Sequence, residues 1–409
     1  MSLCRSTLEL QLRPIFSYTT LGMILLVVDL SPIWQDGGMS LPLKPRVLLL
    51  DVIPPDMDAD TAERRLTELS SLTSTYGGLV IVHTIQRRNI PNYQTYVGSG
   101  KLEELIEQAK KDKVDLFIFN NLLKPKQMFN VGEILRKHNI VVWDRVDLIL
   151  KIFQKHASTA EAKLQIKLAA IHHMGPRIFG MGMEMMQQGG GIGTRGQGET
   201  NIEIMKRHLA EQERTIKKHL EKASQTRVVH RERRRSLGMK TVSIVGYTNA
   251  GKSSLINALT RKGSFVANQL FATLDTRVAK LWLPEINSGV LLSDTIGFIQ
   301  DLPPDLISAF RSTLEEAIEA DLLLHVIDVT DPYLDLKIGE VEGILHDLGI
   351  HETPRIYVFN KIDLKKKIPR ASLKKKYAKF HPVFVSSVTG EGMEELKGEL
   401  VKEMGGKRK

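Results

Sequence analysis

Gly246-Tyr247-Thr248-Asn249-Ala250-Gly251-Lys252-Ser253 decides the fold of this 409-residue chain. The apolar, β-branched run 241–245 precedes it, and Ser254-Leu255-Ile256-Asn257-Ala258-Leu259, free of Gly and Pro, follows. The spacing therefore predicts strand, glycine turn and helix in immediate succession. Such a turn gathers backbone N–H groups around phosphates, and the helix N-terminus adds its positive end. Lys252 is expected to reach the β and γ phosphates and the Ser253 hydroxyl to ligate Mg²⁺, so residues 246–254, Gly246 through Ser254, form the expected phosphate site.

Reading outward, the remaining parts of a guanine-nucleotide site follow in order. Asp294-Thr295-Ile296-Gly297 closes the apolar run 290–292, which puts Asp294 at a strand end beside the Mg²⁺ shell and the Gly297 N–H toward the γ phosphate. Asn360-Lys361-Ile362-Asp363 follows the strand expected over 355–359. A carboxylate at Asp363 accepts both the ring N–H and the exocyclic amine of guanine, and adenine, which lacks that pair, would leave it unsatisfied. Ser386, Ser387 and Val388 follow another short apolar run and are expected to meet the base oxygen through the backbone. Phe271-Ala272-Thr273 supplies a switch threonine, Thr273, for Mg²⁺ and the γ phosphate. Lys252, Thr273, Gly297 and Asn249 are the expected catalytic positions. Phe298 stands where many GTPases carry a water-orienting glutamine, which predicts slow intrinsic hydrolysis. Asn249 occupies a position that is Asn in GTPases recruiting K⁺.

Ahead of this block the chain alternates strand and helix: strands over 47–53, 79–85, 116–119 and 140–143, helices over 58–72, 101–108 and 127–137. That rhythm predicts a small parallel sheet. Two long stretches without Gly or Pro, 157–173 and 199–236, flank a glycine-rich segment over 180–198 and read as an antiparallel helical hairpin. The expected organisation is an α/β domain over 46–155, the hairpin over 156–238 and a P-loop domain over 239–409. Residues 1–45 form an extension; its apolar run, about 14 residues, falls short of the roughly 20 that span a bilayer. Membrane association is thus expected to be peripheral at most, and translation from Met39 is the preferred account of the preceding residues. One cysteine, Cys4, points to a reducing, cytoplasmic setting. The net charge of +10 favours a polyanionic partner, with about a dozen Lys and Arg against four Glu between positions 205 and 240.

Four stretches resemble the HflX family of translation-associated GTPases: Tyr96-Val97-Gly98-Ser99-Gly100-Lys101, Thr159-Ala160-Glu161-Ala162-Lys163-Leu164-Gln165, the run from Gly189 to Thr200, and Leu302-Pro303 with the run from Ala309 to Glu316. The resemblance implies a factor that binds the large ribosomal subunit and its rRNA through the hairpin and dissociates or rescues stalled ribosomes, with GTPase activity raised by that subunit; the chain is expected to be a monomer. It also implies ATP binding in the N-terminal domain; Gly98-Ser99-Gly100-Lys101 reads either as a seat for its phosphates or as a tight turn into a helix. Two alternatives stay open: a large-subunit assembly GTPase, and a nucleotide-gated RNA-binding module with negligible hydrolysis.

Overall fold

A computed structural model describes residues 40–188, 195–260, 278–295, 297–299, 306, 311–365 and 367–405. All of them belong to a single contact-connected unit. Two sheets organise it: β2-β1-β3-β4, and β10-β9-β8-β5-β7-β6.

The first sheet is built from β1 (Arg46–Ile53), β2 (Leu79–Arg87), β3 (Leu116–Phe119) and β4 (Val141–Asp144), all parallel. β1 and β3 are almost wholly buried, as strands covered by helices on both faces must be. Helix α1 (Ala59–Tyr76) begins where Asp58 Oδ1 accepts the Thr61 N–H at 2.7 Å and stops at Gly77, whose φ of 107° suits glycine. Helices α2 (Ser99–Asp112) and α3 (Pro125–Arg136) follow their strands. Leu48, Leu50, Phe117 and Phe119 centre the core, each contributing about 1.5–3 kcal/mol through burial. The helix α4 (Arg145–His156) was not expected; Asp144 and Asp147 cap its first turn reciprocally.

The hairpin differs from expectation. Helix α5 spans Ala160–Gln188, running through Pro176 and Gly180, and α6 spans Arg195–Ser236. The glycine-rich connection is therefore shorter than 180–198, and residues 189–194 lie outside the described residues. Helical spacing brings Leu209, Gln212 and Ile216 of α6 into burial. Part of the basic run is spent within the molecule: Arg231 and Arg234 pair with Glu319 at 3.0 Å and Glu316 at 3.2 Å, which lie at and just beyond helix α8 (Arg311–Ile318). Lys206, Arg207, Arg214, Lys217, Lys218 and Lys222 stay exposed.

Midway along α5, Arg177 bridges Asp144 at the end of β4 and Asp147 in the first turn of α4, and His173 Nε2 lies between the same carboxylates at 3.3 and 3.2 Å. These three side chains, Asp144, Asp147 and His173, offer atoms close enough for a metal, but Arg177 and the His173 imidazolium together already offset the two carboxylate charges.

The second sheet contains β5 (Lys240–Gly246), β6 (Val278–Leu283), β7 (Ser288–Asp294), β8 (Leu322–Asp328), β9 (Arg355–Asn360) and β10 (Val383–Phe384). All pairs are parallel except β6 with β7, an antiparallel edge that was not expected. Helices α7 (Lys252–Thr260), α9 (Leu334–Asp347), α10 (Arg370–Lys376) and α11 (Met393–Gly405) accompany it. Because β5 lies between β7 and β8, the strand order reverses there and opens a crevice at its carboxyl end.

Burial alone would push the His173 imidazole down; Asp144 and Asp147 outweigh it and hold it up at about 9. A raised folded-state value stabilises fully below the ordinary histidine value of about 6.5 and is lost as pH rises through about 9. The stability difference between the wild type and His173→Gln, from urea denaturation, should shrink between those limits by up to about 3 kcal/mol.

Candidate functional site

The crevice at the end of β5 is shaped by close backbone approach. Gly246 has φ 149°, and a Cβ there would sit 2.3 Å from the Val326 carbonyl of β8. Asn249 adopts φ 62°, a left-handed conformation that Asn tolerates better than most residues. Gly251, at φ 95°, passes so near Asn360 that a Cβ would lie 2.2 Å from its Nδ2. Sequence spacing alone placed glycines here; the neighbours that require them come from 80 and 109 residues away, at Val326 and Asn360.

Lys252 is buried at the start of α7, its Nζ donating to the carbonyls of Gly246 at 3.1 Å and Tyr247 at 2.9 Å. Burial lowers its ammonium to about 8, against the opposing pull of Asp294. An ammonium so placed is drawn to any polyanion that enters the turn. The parallel register of β5 and β7 aligns Ile244 with Asp294, and the Ser253 hydroxyl donates to Asp294 Oδ2 at 2.7 Å. A hydroxyl and a carboxylate in contact are hard oxygen donors of the kind Mg²⁺ takes. Thr295 turns its hydroxyl to the Ile244 carbonyl at 2.7 Å and so acts as a pin between strands. Gly297 packs on the loop: a Cβ would stand 2.7 Å from Thr248 Cγ2 and 2.8 Å from Lys252 Nζ. Phe298 donates its N–H to Gly246 O, accepts the Thr248 N–H at 2.8 Å, and buries its ring with Tyr247, Leu314 and Leu323. Thr273, Phe271, Ala272 and Ile296 lie outside the described residues.

On the base side, buried Asn360 donates Nδ2–H to the Ala250 carbonyl at 2.9 Å and accepts the Ser387 N–H at 3.1 Å. Asp363 is exposed and accepts the Ser386 hydroxyl at 2.6 Å; the same hydroxyl receives the N–H groups of Val388 and Thr389. Lys361, at φ 66°, reaches Asp328 at 2.7 Å. Asp328 is a site residue missed in the sequence, although its place after the apolar run 322–327, just before Val329-Thr330-Asp331, was the available signal. Tyr247 was expected only as part of the turn, yet its hydroxyl donates to Glu68 of α1 at 2.7 Å. No sequence pattern links positions 179 residues apart. Gly98 and Lys101, at the start of α2, are engaged locally: the Gly98 N–H donates to Gln86 Oε1 at 2.9 Å and Lys101 pairs with Glu104.

A mainly parallel sheet with a phosphate turn at its switch point, a Ser–Asp oxygen pair beside it and an Asn-Lys-x-Asp strand end defines a P-loop GTPase. Residues 63–154 match the family described as GTP-binding GTPase N-terminal, 156–234 the GTP-binding GTPase Middle Region, and 241–361 the 50S ribosome-binding GTPase. A GTPase HflX of Caldanaerobacter subterraneus subsp. tengcongensis is 42% identical over 361 residues, covering 88% of this chain and 81% of the relative. The GTPase HflX of Escherichia coli is 37% identical, covering 83% and 79%. The chain belongs to the HflX family of GTPases. It is also similar to the structure of a GTP-binding protein from Sulfolobus solfataricus in complex with GDP, at 24% identity and TM-score 0.48 over 88% of this chain and 99% of that one. GTP is the substrate and Mg²⁺ the general cofactor of this class. Among the described residues no helix is long and apolar enough to cross a membrane.

Gly251→Ala should combine left-handed strain with a clash on Asn360, costing on the order of 1–3 kcal/mol. Equilibrium unfolding of the variant, beside retention of labelled GDP, checks this; wild-type values in both would contradict the tight packing at Asn360.

Proposed function

We propose that this chain is a cytoplasmic, monomeric GTPase that binds the large ribosomal subunit and its rRNA and dissociates or rescues stalled ribosomes, hydrolysis timing its release. The observation that carries the timer reading is Phe298. Its ring belongs to the core, so the position after Gly297 presents nothing to orient a water, and the free protein should turn over slowly. The match of 241–361 to a 50S ribosome-binding GTPase and the exposed Lys and Arg of α6 support the ribosomal partner.

In this reading the turn from Gly246 to Gly251 cradles phosphates with its N–H groups, and Lys252 offers its ammonium to the β and γ oxygens. Ser253 and Asp294 would hold Mg²⁺, which neutralises charge developing on the phosphates. Ser254 continues the helix whose N-terminus faces them, and Gly297 and Thr273 meet the γ phosphate. Asp363 selects guanine, with Ser386, Ser387 and Val388 edging the base and Asn360 and Lys361 fixing that edge. Asn249 is the candidate ligand for a K⁺ ion; equal turnover in Na⁺ and K⁺ would remove that role. ATP, the further ligand the resemblance implies, is assigned to the α2 N-terminus at Gly98–Lys101.

The decisive test is GTP turnover with and without added large subunits. A rise of at least about 10-fold, equivalent to about 1.4 kcal/mol in the barrier, is expected. Sucrose gradients run with GTP or a non-hydrolysable analogue then show whether whole ribosomes become subunits; intact ribosomes in both would exclude the splitting role. Asp363→Asn should lower GTP affinity by 10-fold or more, on the order of 1.4 kcal/mol, and improve xanthine nucleotide binding. Unchanged GTP affinity would refute the base assignment.

A further inference from the structure

Tyr247 has neighbours that phosphate binding does not account for. Its backbone carbonyl accepts Lys252 Nζ at 2.9 Å, and the backbone on either side is laced to Phe298, immediately after the Asp294–Gly297 stretch. Its ring lies 4.6 Å from Lys337 Nζ and packs with Val245 and Phe298. Its hydroxyl leaves the GTPase half altogether and donates to Glu68 Oε1.

Glu68 is the outer end of a chain of polar contacts that runs into the N-terminal sheet. Glu68 Oε2 pairs with Arg145 at 3.2 Å, Arg145 Nη1 donates to Asn120 Oδ1 at 2.8 Å, and Asn120 Nδ2 donates to Asp51 at 2.7 Å. Asp51 is fully buried at the carboxyl end of β1 and also holds Arg65 of α1. Each link past Tyr247 involves a charged partner in a largely water-excluded setting, where such bonds are short, directional and costly to leave unmade. The chain thus joins the carboxyl ends of two sheets. It ends on a P-loop residue whose backbone carbonyl, together with that of Gly246, steadies the phosphate lysine. A second contact, Tyr333 with Asp60 of α1, fixes the helix on the far side of a cavity of about 480 Å³ between α1 and the P-loop.

From this we infer that Tyr247 is a positioning residue through which α1 of the N-terminal domain sets the P-loop: the Glu68 hydrogen bond holds Tyr247, and Tyr247 holds Lys252 and the backbone at Phe298 against the nucleotide. The inference rests on the P-loop being the GTP site. Displacement of residues 297 and 298 by a γ phosphate would pull on the same tyrosine, so the N-terminal sheet and the nucleotide state become linked, and each must affect the other equally.

The test is a double-mutant cycle on the full chain with Tyr247→Phe, Glu68→Gln and the double variant. Its readouts are release of fluorescent GDP, and kcat and KM for GTP. Either single change should speed GDP release about three- to tenfold and shift KM more than kcat, while the double variant should match one single variant rather than the product of both. Multiplicative effects, or unchanged release rates accompanied only by a lower Tm, would overturn the coupling and leave a purely structural contact. Lys252→Ala serves as the marker for the site itself. If the wild type retains no more GDP than Lys252→Ala, the nucleotide-site reading fails and the coupling with it; if it retains GDP and the cycle is multiplicative, the coupling alone fails.

Discussion

The side-chain amide of Asn360 is the constraint on which the nucleotide half depends. Its donor closes on Ala250 in the phosphate turn and its acceptor takes the N–H of Ser387 in the base loop, so one buried group sets the distance between the two ends of a bound nucleotide. A buried amide satisfied on both sides strongly resists rotation, since any other orientation would strand a donor or an acceptor away from water. Gly251 is a glycine for the same reason: the turn must press against that amide. The Asn at the head of the Asn-Lys-x-Asp stretch is thus a strut, while Asp363, exposed at its other end, remains available to a ligand.

The parts of the fold legible in the sequence were those governed by local rules. β5 and α7 could be placed because a β-branched run, spaced glycines and a Gly-free helix stand next to one another; β1 and β3 could be placed because strands covered on both faces are apolar throughout. The helix α4 was overlooked because Arg145-Val146-Asp147 looks like the tail of a strand. Its capping depends on Asp144 and Asp147 facing each other, which spacing permits but does not demand. α5 ran further than Gly175, Pro176 and Gly180 suggested, since helix propensity is a weak prior beside tertiary packing. β6 lacks an obvious signal: VAKLWL alternates, yet its antiparallel register arises only from its partner β7. At the site, the order and spacing of Gly246, Lys252, Asp294 and Asp363 were readable. The bonds of Tyr247 to Glu68 and of Lys361 to Asp328 were not, because no pairwise pattern announces a contact across so much chain.

Charge was the property that composition described least well. The basic stretch between 205 and 240 is not uniform: Lys217 and Arg227 pair with Glu213 and Glu161, Arg231 and Arg234 with Glu319 and Glu316, while residues such as Arg207, Lys218 and Arg233 stay exposed. The carboxylates that a metal-seeking eye would choose, Asp144 and Asp147, instead receive Arg177 and His173 and fasten α5 to the first sheet. Net charge says how much polyanion a surface could attract, but pairing decides which residues are left to do it.

The ion pairs at the end of α6 give that helix a mechanical character. A helix of 42 residues rises about 63 Å end to end, and its last turns are riveted to Glu316 and Glu319 of the GTPase half. Rotation about that rivet by roughly 10° would carry the opposite end about 11 Å, twice the pitch of a helix turn. Because Arg227 and Glu213 of the same helix are paired with Glu161 and His172 of α5, any such rotation would have to carry both helices of the hairpin as one lever arm.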